Sequence, residues 1–450
     1  MTTPSGIANL EPLARRKEQR AWYFYDWANS AFSTTIAGVL FGPYLIAIAK
    51  EAAVDDRIQV LGLSIAPGAL PSYTITASTL LSAVLLPLLG AVADRTARKK
   101  DLLAGFAWVG AAAAAMLFFV TDDNWQLGVV SFIVANLCFG AAAVFNDALL
   151  CLISTEDERD SVSSRGWAYG YAGGGLLLAA NFVLVTTLPF GLSEGMAVRI
   201  SMLSAAVWWA GFTFIPFLGL RNRAPTHVVA AKTGGILQQS FGQLWATLKS
   251  LRQYPVALTF LVAYLFFNDG IQTVIASASI YGVEELEFGT GTVLATYLVV
   301  QFVAVFGALG FGRAAGHFGA KSVILAGLGI WVLIVTAALF VPEKALVAFL
   351  LLAVAIGIVL GGTQALSRSY FSLLIPKGRE AEYFSFYHAM ERGTSWFGTL
   401  VFGLVYQLTD SYRPAIFALV VFFVVGGALL LRVDTAKGIR DAGNQAPAVL

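Results

Sequence analysis

The sequence predicts an all-α membrane protein with twelve transmembrane helices arranged in two six-helix bundles. Three observations predict this fold class: the apolar composition, the number of long apolar segments and the distribution of positive charge between them. Residues of the types A, V, I, L, M, F, W, Y and C make up 58% of the 450 residues, and D, E, K and R only 12%. Because soluble domains carry about 25% charged residues, an ordinary soluble domain is excluded. Long apolar segments with few charges between them are typical of a helical membrane protein.

Twelve segments of about 20 residues are predominantly apolar and are bounded by charged residues or by Pro and Gly. They comprise residues 22–49, 70–93, 102–120, 126–150, 166–189, 197–220, 255–281, 289–311, 322–341, 345–366, 383–407 and 415–431. An even number of spans predicts that both termini lie on the same side of the membrane. The longest connection follows the sixth span and divides the chain into two halves of six spans.

These segments predict five parts of the chain. They are an N-terminal tail at residues 1–21, a first bundle at 22–220, a linker at 221–254, a second bundle at 255–432 and a C-terminal tail at 433–450. Apolar residues at helical spacing between 237 and 251 predict an amphipathic helix in the linker. That helix either lies on the inner membrane leaflet or binds a partner. No cleaved signal peptide is predicted, because the apolar run after Arg20 is long and contains Asp26.

Positive charge is distributed unevenly between the two sides of the predicted membrane. Twenty-three of the 29 Lys and Arg residues lie in the two tails and the even-numbered connections. The opposite side has five, namely Lys50, Arg57, Arg199, Lys344 and Arg413, and Arg392 lies inside a span. Because positive charge in short loops resists translocation, both termini are predicted to be cytoplasmic.

Several other function classes find no support in the sequence. The net charge of +2 gives no overall basic excess, so a nucleic-acid partner is not expected. Cys138 and Cys151 lie 13 residues apart in one predicted helix, a separation of about 20 Å that excludes a disulfide between them. The histidines His227, His317 and His388 are scattered without ligand spacing. We therefore expect no metal, no cofactor and no enzymatic activity.

The connection between spans two and three matches the pattern G-x-x-x-D-R-x-x-R-K. Gly90 permits close helix approach, and Asp94 caps a helix end. The basic residues Arg95, Arg98 and Lys99 follow at the cytoplasmic interface, where they can bind neighbouring helices. This run resembles the signature of the major facilitator superfamily, although Ala97 replaces the usual Gly. The corresponding run of the second half, from Gly312 to Lys321, has Gly in place of the Asp.

A narrower resemblance covers nearly the whole chain. Its residues are the runs Tyr25 to Phe32, Gly166 to Gly175, Asn268 to Gly270 and Gly361 to Ser369. These runs are similar to the vacuole-effluxer, autophagy-related branch of the superfamily, although Asp147 departs from its pattern. The resemblance implies the major facilitator fold, with spans one, four, seven and ten lining a central cavity. Its eukaryotic members are associated with amino-acid efflux from the vacuole, and this chain resembles bacterial members, which implies a bacterial plasma membrane.

Acidic residues within the spans are candidates for the functional site, because a charge in hydrocarbon costs several kcal/mol and usually faces a cavity or a partner. Asp26 and Asn29 lie on one polar stripe of span one. Asn146 and Asp147 end span four, at a depth similar to that of Asp26. An interfacial gate or helix cap and a substrate-binding role both remain open for the two aspartates.

Asp269 is the acidic residue that lies deepest in the predicted membrane. Asn268 and Gln272 share its helix face in span seven, and Gln364 in span ten is a further polar candidate. Asp269 either binds a proton or substrate, or forms a buried ion pair with Arg392. Arg392 could instead bind a substrate carboxylate through its guanidinium group.

Gly166, Gly170 and Gly174 repeat a small-x-x-x-small pattern in span five. This spacing predicts close helix packing, with a dimer face as the alternative. We otherwise expect a monomer in the lipid bilayer.

Two functions remain open from the sequence. The first is a secondary transporter that moves a small organic solute, with amino acids as one candidate, by alternating access with coupling to protons. The second is a membrane sensor or assembly factor that retains the fold without transporting a solute.

Overall fold

The structure, a computed structural model, describes residues 12–55, 57–60, 63–94, 96–223, 252–393, 395–409 and 411–450. The amphipathic helix predicted between 237 and 251 and the gating residue Arg95 lie outside the described residues, and so does the side chain of Arg392. Their predicted roles therefore stay predictions.

The described residues of the first half form seven α-helices and a short hairpin. The helices are α1 Pro12–Ala31, α2 Phe41–Glu51, α3 Leu70–Ala93, α4 Lys99–Met116, α5 Trp125–Ile153, α6 Arg159–Thr187 and α7 Glu194–Gly219. A π-helical segment, Phe32–Leu40, joins α1 to α2. The strands β1 Ile58–Val60 and β2 Leu63–Ile65 pair in antiparallel fashion, with Ile58 opposite Ile65. The apolar pattern did not predict this hairpin, since it follows the first span in a connection.

The described residues of the second half form nine α-helices. They are α8 Pro255–Ile280, α9 Thr290–Phe318, α10 Ala320–Ala337, α11 Leu346–Leu373, α12 Glu380–Gly393, α13 Ser395–Thr409, α14 Tyr412–Ala418, α15 Val420–Leu431 and α16 Thr435–Asp441. The eleventh predicted span corresponds to α12 and α13, and the twelfth to α14 and α15. The predicted C-terminal tail contains α16, whose N-terminus is capped by Asp434.

Within the described residues, eleven helical segments are long and apolar enough to cross a membrane. The first of them joins α1, the π-helical segment and α2, and it extends further towards the N-terminus than the predicted start at Trp22. The ten residues before Trp22 are helical because α1 packs over α6 and α7. Together with the pair α12 and α13, these segments account for the twelve predicted spans.

The described residues form two separate hydrophobic cores. One is built almost entirely from residues of the first half and includes Trp22, Phe132 and Trp209. The other is built from residues of the second half and includes Phe260 and Trp331. Each set of six spans therefore packs around its own core, as expected for two bundles.

The start of α1 and the C-terminal residues of the chain lie at the same end of the bundles, here named the terminal end. Arg15 forms an ion pair with Glu158 in the connection between α5 and α6. Asn444 donates hydrogen bonds to the carbonyls of Leu373, the last residue of α11, and of Ile375, two residues later. The other end of the bundles, named the opposite end, carries the β hairpin and the connection between α10 and α11.

Candidate functional site

The site consists of two adjoining cavities between the bundles. The first has a volume of about 410 Å³ and extends to the opposite end, because Tyr281 and Ile416 contribute to its lining. Its polar lining within the described residues consists of uncharged side chains, those of Ser30, Ser33, Thr34, Trp167, Tyr171, Gln272, Tyr281, Thr296, Tyr297, Gln301 and Gln364. This cavity can hold a small solute and offers it hydrogen-bond donors and acceptors from both bundles.

The second cavity, of about 360 Å³, lies nearer the terminal end and has charged residues in its lining. The lining residues shared with the first cavity are Ser30, Ser33, Trp167, Gly170, Gln272 and Gln364. The residues added in the second cavity include Asp26, Asn29, Asn146, Asp147, Arg368, His388 and Glu391. Six of the predicted site residues therefore line this cavity. They are the pairs from spans one and four, near the terminal end, and Gln364 and Gln272 on the wall shared with the first cavity.

Arg368 of α11 binds both aspartates that the sequence marks in the first bundle. Its Nη2 lies 3.2 Å from Asp26 Oδ2, and its Nη1 lies 3.2 Å from Asp147 Oδ1. Trp22 packs against the guanidinium with its ring centroid 4.8 Å from Cζ. Arg368 is buried, so these two carboxylates supply the negative charge that a desolvated guanidinium requires.

Arg368 and Asn146 complete the hydrogen bonding around the two aspartates. Arg368 Nε donates to Ser163 Oγ at 2.9 Å, and its Nη2 donates to the Ser163 carbonyl at 3.0 Å. Asn146 Nδ2 donates to Asp26 Oδ1 at 3.1 Å, and Trp22 Nε1 donates to the Asn146 carbonyl at 2.8 Å. Hydrogen bonds from Arg368 of the second bundle and Asn146 of the first bundle thus fix the orientation of the aspartates.

His388 of α12 lies between two carboxylates. Its Nε2 is 2.9 Å from Asp147 Oδ2 and its Nδ1 is 3.1 Å from Glu391 Oε2. Asp147 therefore contacts Arg368 with one carboxylate oxygen and His388 with the other. The charges of α5, α11 and α12 form one connected cluster across the bundle interface.

The glycine stripe of α6 allows α1 to bring its polar residues to this cluster. A Cβ atom on Gly166 would lie 2.5 Å from Asp26 Oδ2, and one on Gly170 would lie 2.8 Å from Ser30 Oγ. A Cβ on Gly174 would lie 2.9 Å from the side chain of Thr34. Close packing between α1 and α6 is therefore confirmed as the use of this small-residue pattern.

Asp269 occupies a different position from the charge cluster and lies outside the lining of both cavities. Its Oδ2 accepts a hydrogen bond of 2.8 Å from the backbone N–H of Gly398, in the first turn of α13. The first four N–H groups of a helix have no acceptor within the helix, and the Asp269 carboxylate is the acceptor for one of them. The ion pair with Arg392 that the sequence left open falls on a side chain outside the described residues.

The remaining predicted polar residues of spans seven and ten contact each other. Gln364 Nε2 donates to Asn268 Oδ1 at 2.9 Å, and both residues are buried. Gln272, one helical turn from Asn268, lines both cavities. Gln364 and Gln272 thus join the cavity wall, whereas Asn268 positions Gln364.

The terminal end is closed by hydrogen bonds between the bundles. Ser163 Oγ of α6 donates to the Ala365 carbonyl at 2.7 Å, and Ser369 Oγ donates to Asp160 Oδ1 at 2.5 Å. Arg159 Nη1 donates to the Ser372 carbonyl at 3.1 Å. These bonds join α6 of the first bundle to α11 of the second on the terminal-end side of the charge cluster.

Asp94 of the predicted gating motif makes a second connection across the terminal end. Its carboxylate accepts hydrogen bonds from the backbone N–H groups of Ala381 at 3.2 Å and Glu382 at 2.8 Å, in the first turn of α12. Lys99 Nζ lies 2.6 Å from the same carboxylate. The aspartate of the first bundle therefore caps a helix of the second bundle.

Gly90 and Arg98 differ in their surroundings. A Cβ on Gly90 would lie 2.5 Å from the Ala381 carbonyl oxygen, so this glycine allows α3 and α12 to approach closely. Arg98 is exposed and pairs with Asp101 of its own bundle at 3.1 Å. The structure thus brings Gly90, Asp94 and Lys99 to the interface, and it leaves the predicted gating residue Arg98 on the surface.

Sequence reasoning missed the basic members of the charge cluster. Arg368 was counted among the positive charges of a connection, yet it lies buried within α11. His388 was considered only as a possible metal ligand, and the spacing of the three histidines does not fit a metal site. The available signals were that Arg368 comes two residues after the tenth predicted span and that His388 lies five residues inside the eleventh. Neither position indicates which residue is the partner.

Comparisons with known proteins agree with this architecture. A family model described as "Vacuole effluxer Atg22 like" matches residues 14–443. The MFS-type transporter YxiO of Bacillus subtilis, described as uncharacterized, is 32% identical to this chain over 438 residues. The alignment covers 96% of this chain and 98% of YxiO. Autophagy-related protein 22 of Yarrowia lipolytica is 26% identical over 478 residues, covering 86% of this chain and 79% of the relative.

Among solved structures, the fold is similar to that of the proton:xylose symporter XylE of the major facilitator superfamily. The TM-score is 0.72 at 12% sequence identity, with 95% of this chain and 98% of the symporter covered. This likeness confirms the twelve-helix major facilitator fold that the span count and the Asp94 motif predict. With the family match over nearly the whole length, the chain is a major facilitator transporter that belongs to the Atg22-like vacuole effluxer family.

Proposed function

We propose that this transporter carries small solutes that bear an amino group, with amino acids as the leading candidates, by proton-coupled alternating access. The observation that carries the proposal is the binding of Arg368 by Asp26 and Asp147 at the inner wall of a cavity between the bundles. A bridge of this kind closes one end while it is formed and opens that end when it is broken.

The chemistry of the cavity supports an amino-acid-like solute. An amino acid carries one ammonium and one carboxylate group, and the cavity carries carboxylates and a guanidinium within one cluster. Asp26 and Asp147 would attract the ammonium group, and Arg368 would attract the carboxylate. The uncharged polar lining of the larger cavity, with Gln272 and Gln364, would bind the rest of a small solute.

Orientation and assembly follow from the charge distribution and the cavity walls. The positive charges of the tails and connections favour a cytoplasmic terminal end in a bacterial plasma membrane. The described state would then be open towards the outside and closed towards the cytoplasm. Because the two bundles of one chain supply the cavity walls, a monomer suffices for transport.

Transport can be tested with purified protein in liposomes. We expect uptake of a radiolabelled amino-acid mixture that rises with an imposed pH gradient and falls when an uncoupler removes it. Gln272→Leu removes a polar group from both cavities and should lower uptake, whereas Gln126→Leu, at an exposed position of the opposite end, should not. If uptake of every amino acid equals that of empty liposomes, with and without the pH gradient, the sensor or assembly role would be favoured instead.

A further inference from the structure

His388 stands out because both of its ring nitrogens face carboxylate oxygens. Nε2 lies 2.9 Å from Asp147 on the first bundle, and Nδ1 lies 3.1 Å from Glu391 on its own helix. A neutral imidazole has one N–H donor and one acceptor nitrogen. With two ionised carboxylates as partners, a neutral ring would place one lone pair against a carboxylate oxygen. A single added proton converts both contacts into favourable hydrogen bonds.

The neighbouring charges decide which group carries that proton. Arg368 of α11 binds Asp147 and also Asp26 of α1, so each of these aspartates already has a cationic partner. Tyr387 lies beside the ring and stacks on Tyr264 of α8, and tyrosine hydroxyl groups are neutral at physiological pH. Between Leu70 and Ala93, α3 contributes Tyr73 as its ionisable residue, and Asp94 faces the start of α12 instead. The imidazole is therefore the group that accepts the proton.

Opening of the terminal end would change this arrangement. Asp147 belongs to the first bundle and His388 to the second, so separation of the bundles at this end removes one of the two carboxylates from the ring. The imidazolium then loses a partner, and its N–H bond can break with transfer of the proton to water, which leaves neutral imidazole. By thermodynamic linkage, protonation of the ring favours the state in which the terminal end is closed.

We propose that the cluster of Asp147, His388 and Glu391 is the proton-binding site of this transporter, loaded when the terminal end is closed and unloaded when it opens. The inference rests on the proposed transport function and names His388, rather than Asp269, as the group that carries the proton. The site takes up its proton from the side on which the cavities open. It releases the proton at the terminal end.

The protonation state of His388 can be read directly. Full-length protein with ¹⁵N-labelled histidine, carrying His227→Gln and His317→Gln, has one remaining imidazole for nitrogen NMR in lipid nanodiscs. At about pH 7 we expect both ring nitrogens of His388 to be protonated, although an unperturbed histidine is mostly neutral there. Asp147→Asn should convert the signal to a neutral ring. Asp101→Asn, which removes an acid that pairs with Arg98 away from the bundle interface, should leave it unchanged.

A neutral ring in the parent protein at this pH would overturn the proposal, and so would equal protonation in Asp147→Asn. If Asp147→Asn does not fold, Glu391→Gln provides the second variant, because it removes the partner of Nδ1 and should also give a neutral ring. A protonated ring that persists in Glu391→Gln would overturn the proposal.

A transport assay separates this inference from the proposed function. His388→Gln should abolish accumulation driven by a pH gradient while exchange of substrate across the membrane persists, because exchange requires no net proton movement. Gradient-driven accumulation that survives in His388→Gln would overturn the proton site while transport stands. Absence of any uptake in the parent protein, with the NMR result as expected, would overturn the proposed transport and leave the proton-binding cluster intact.

Discussion

Asp147 and Arg368 join the two bundles, with Asp147 Oδ1 3.2 Å from Arg368 Nη1 although the two residues are 221 positions apart in the sequence. Asp147 uses its other oxygen for His388, so one carboxylate of the first bundle binds two bases of the second. Because all three side chains border the cavity, a charged solute or a proton that changes this cluster changes the force between the bundles.

The orientation of the chain is the first property to test. A cysteine placed at Asp123, an exposed position of the opposite end, should react with a membrane-impermeant thiol reagent added to intact cells. A cysteine at Ala97, exposed at the terminal end, should react only after the membrane is permeabilised. Cys138 and Cys151 are free and buried, so their background labelling is expected to be low. The reverse labelling pattern would invert the proposed orientation.

Asp94 provides the second test, because it accepts two backbone hydrogen bonds across the interface. Asp94→Asn keeps one acceptor oxygen but loses the charge that binds Lys99, and we expect it to weaken the closed state by about 1–3 kcal/mol. Spin labels at Ala97 and His317, exposed on the two bundles, should then show an additional population at longer distance.

Asp101→Asn is the control for Asp94→Asn, because Asp101 pairs with Arg98 within the first bundle. It should leave the distance between the labels unchanged. Equal distance distributions in Asp94→Asn and the parent protein would show that Asp94 does not hold the terminal end closed.

Asp269 provides the third test, because its contact with Gly398 predicts a structural role. Asp269→Ala removes the acceptor for this N–H and should lower the free energy of unfolding by about 1 kcal/mol, as the loss of a helix cap does. Asp269→Asn retains a side-chain oxygen and should cost less. Asp434→Ala, which removes the exposed side-chain cap of α16, is the matched control for the loss of a helix cap.

Transport measurements decide between the two roles of Asp269. A structural role predicts that Asp269→Asn retains accumulation driven by a pH gradient. Loss of that accumulation with unchanged thermal stability would instead identify Asp269 as a proton carrier.

The fold could be predicted from the sequence because the bilayer acts on each span separately. A span requires about 20 apolar residues, and each connection carries its own charge signal, so the twelve spans are readable without knowledge of their contacts. The pair α12 and α13 is less evident, since both helices lie within one apolar segment. The β hairpin is short and depends on pairing between Ile58 and Ile65, which hydropathy does not report.

The candidate site could be predicted only in part. Asp26 and Asp147 were recognisable because a carboxylate within a span is costly and requires a partner. Their partner Arg368 lies 342 positions after Asp26, near a span end where an arginine is also compatible with an interfacial position. Which bases and acids meet depends on the docking of the bundles, and no local pattern contains that information.

Substitution of Arg368 addresses the central claim, that its bridge to Asp26 and Asp147 closes the terminal end in an alternating-access cycle. Arg368→Ala removes the buried base that Asp26 and Asp147 share, although Asp147 keeps His388, and should cost the closed state about 3–5 kcal/mol. Because about 1.4 kcal/mol changes an equilibrium tenfold, the population should shift strongly. Arg413→Ala, which breaks an ion pair with Glu285 inside the second bundle, is the matched control.

The measurement uses pulsed electron paramagnetic resonance on two label pairs in lipid nanodiscs. One pair, at Ala97 and His317, reports the terminal end, and the other, at Asp123 and Glu343, reports the opposite end. In Arg368→Ala we predict a longer terminal-end distance together with a shorter opposite-end distance, and neither change in Arg413→Ala. Unchanged distances at both ends in Arg368→Ala, or lengthening at both ends together, would contradict the account.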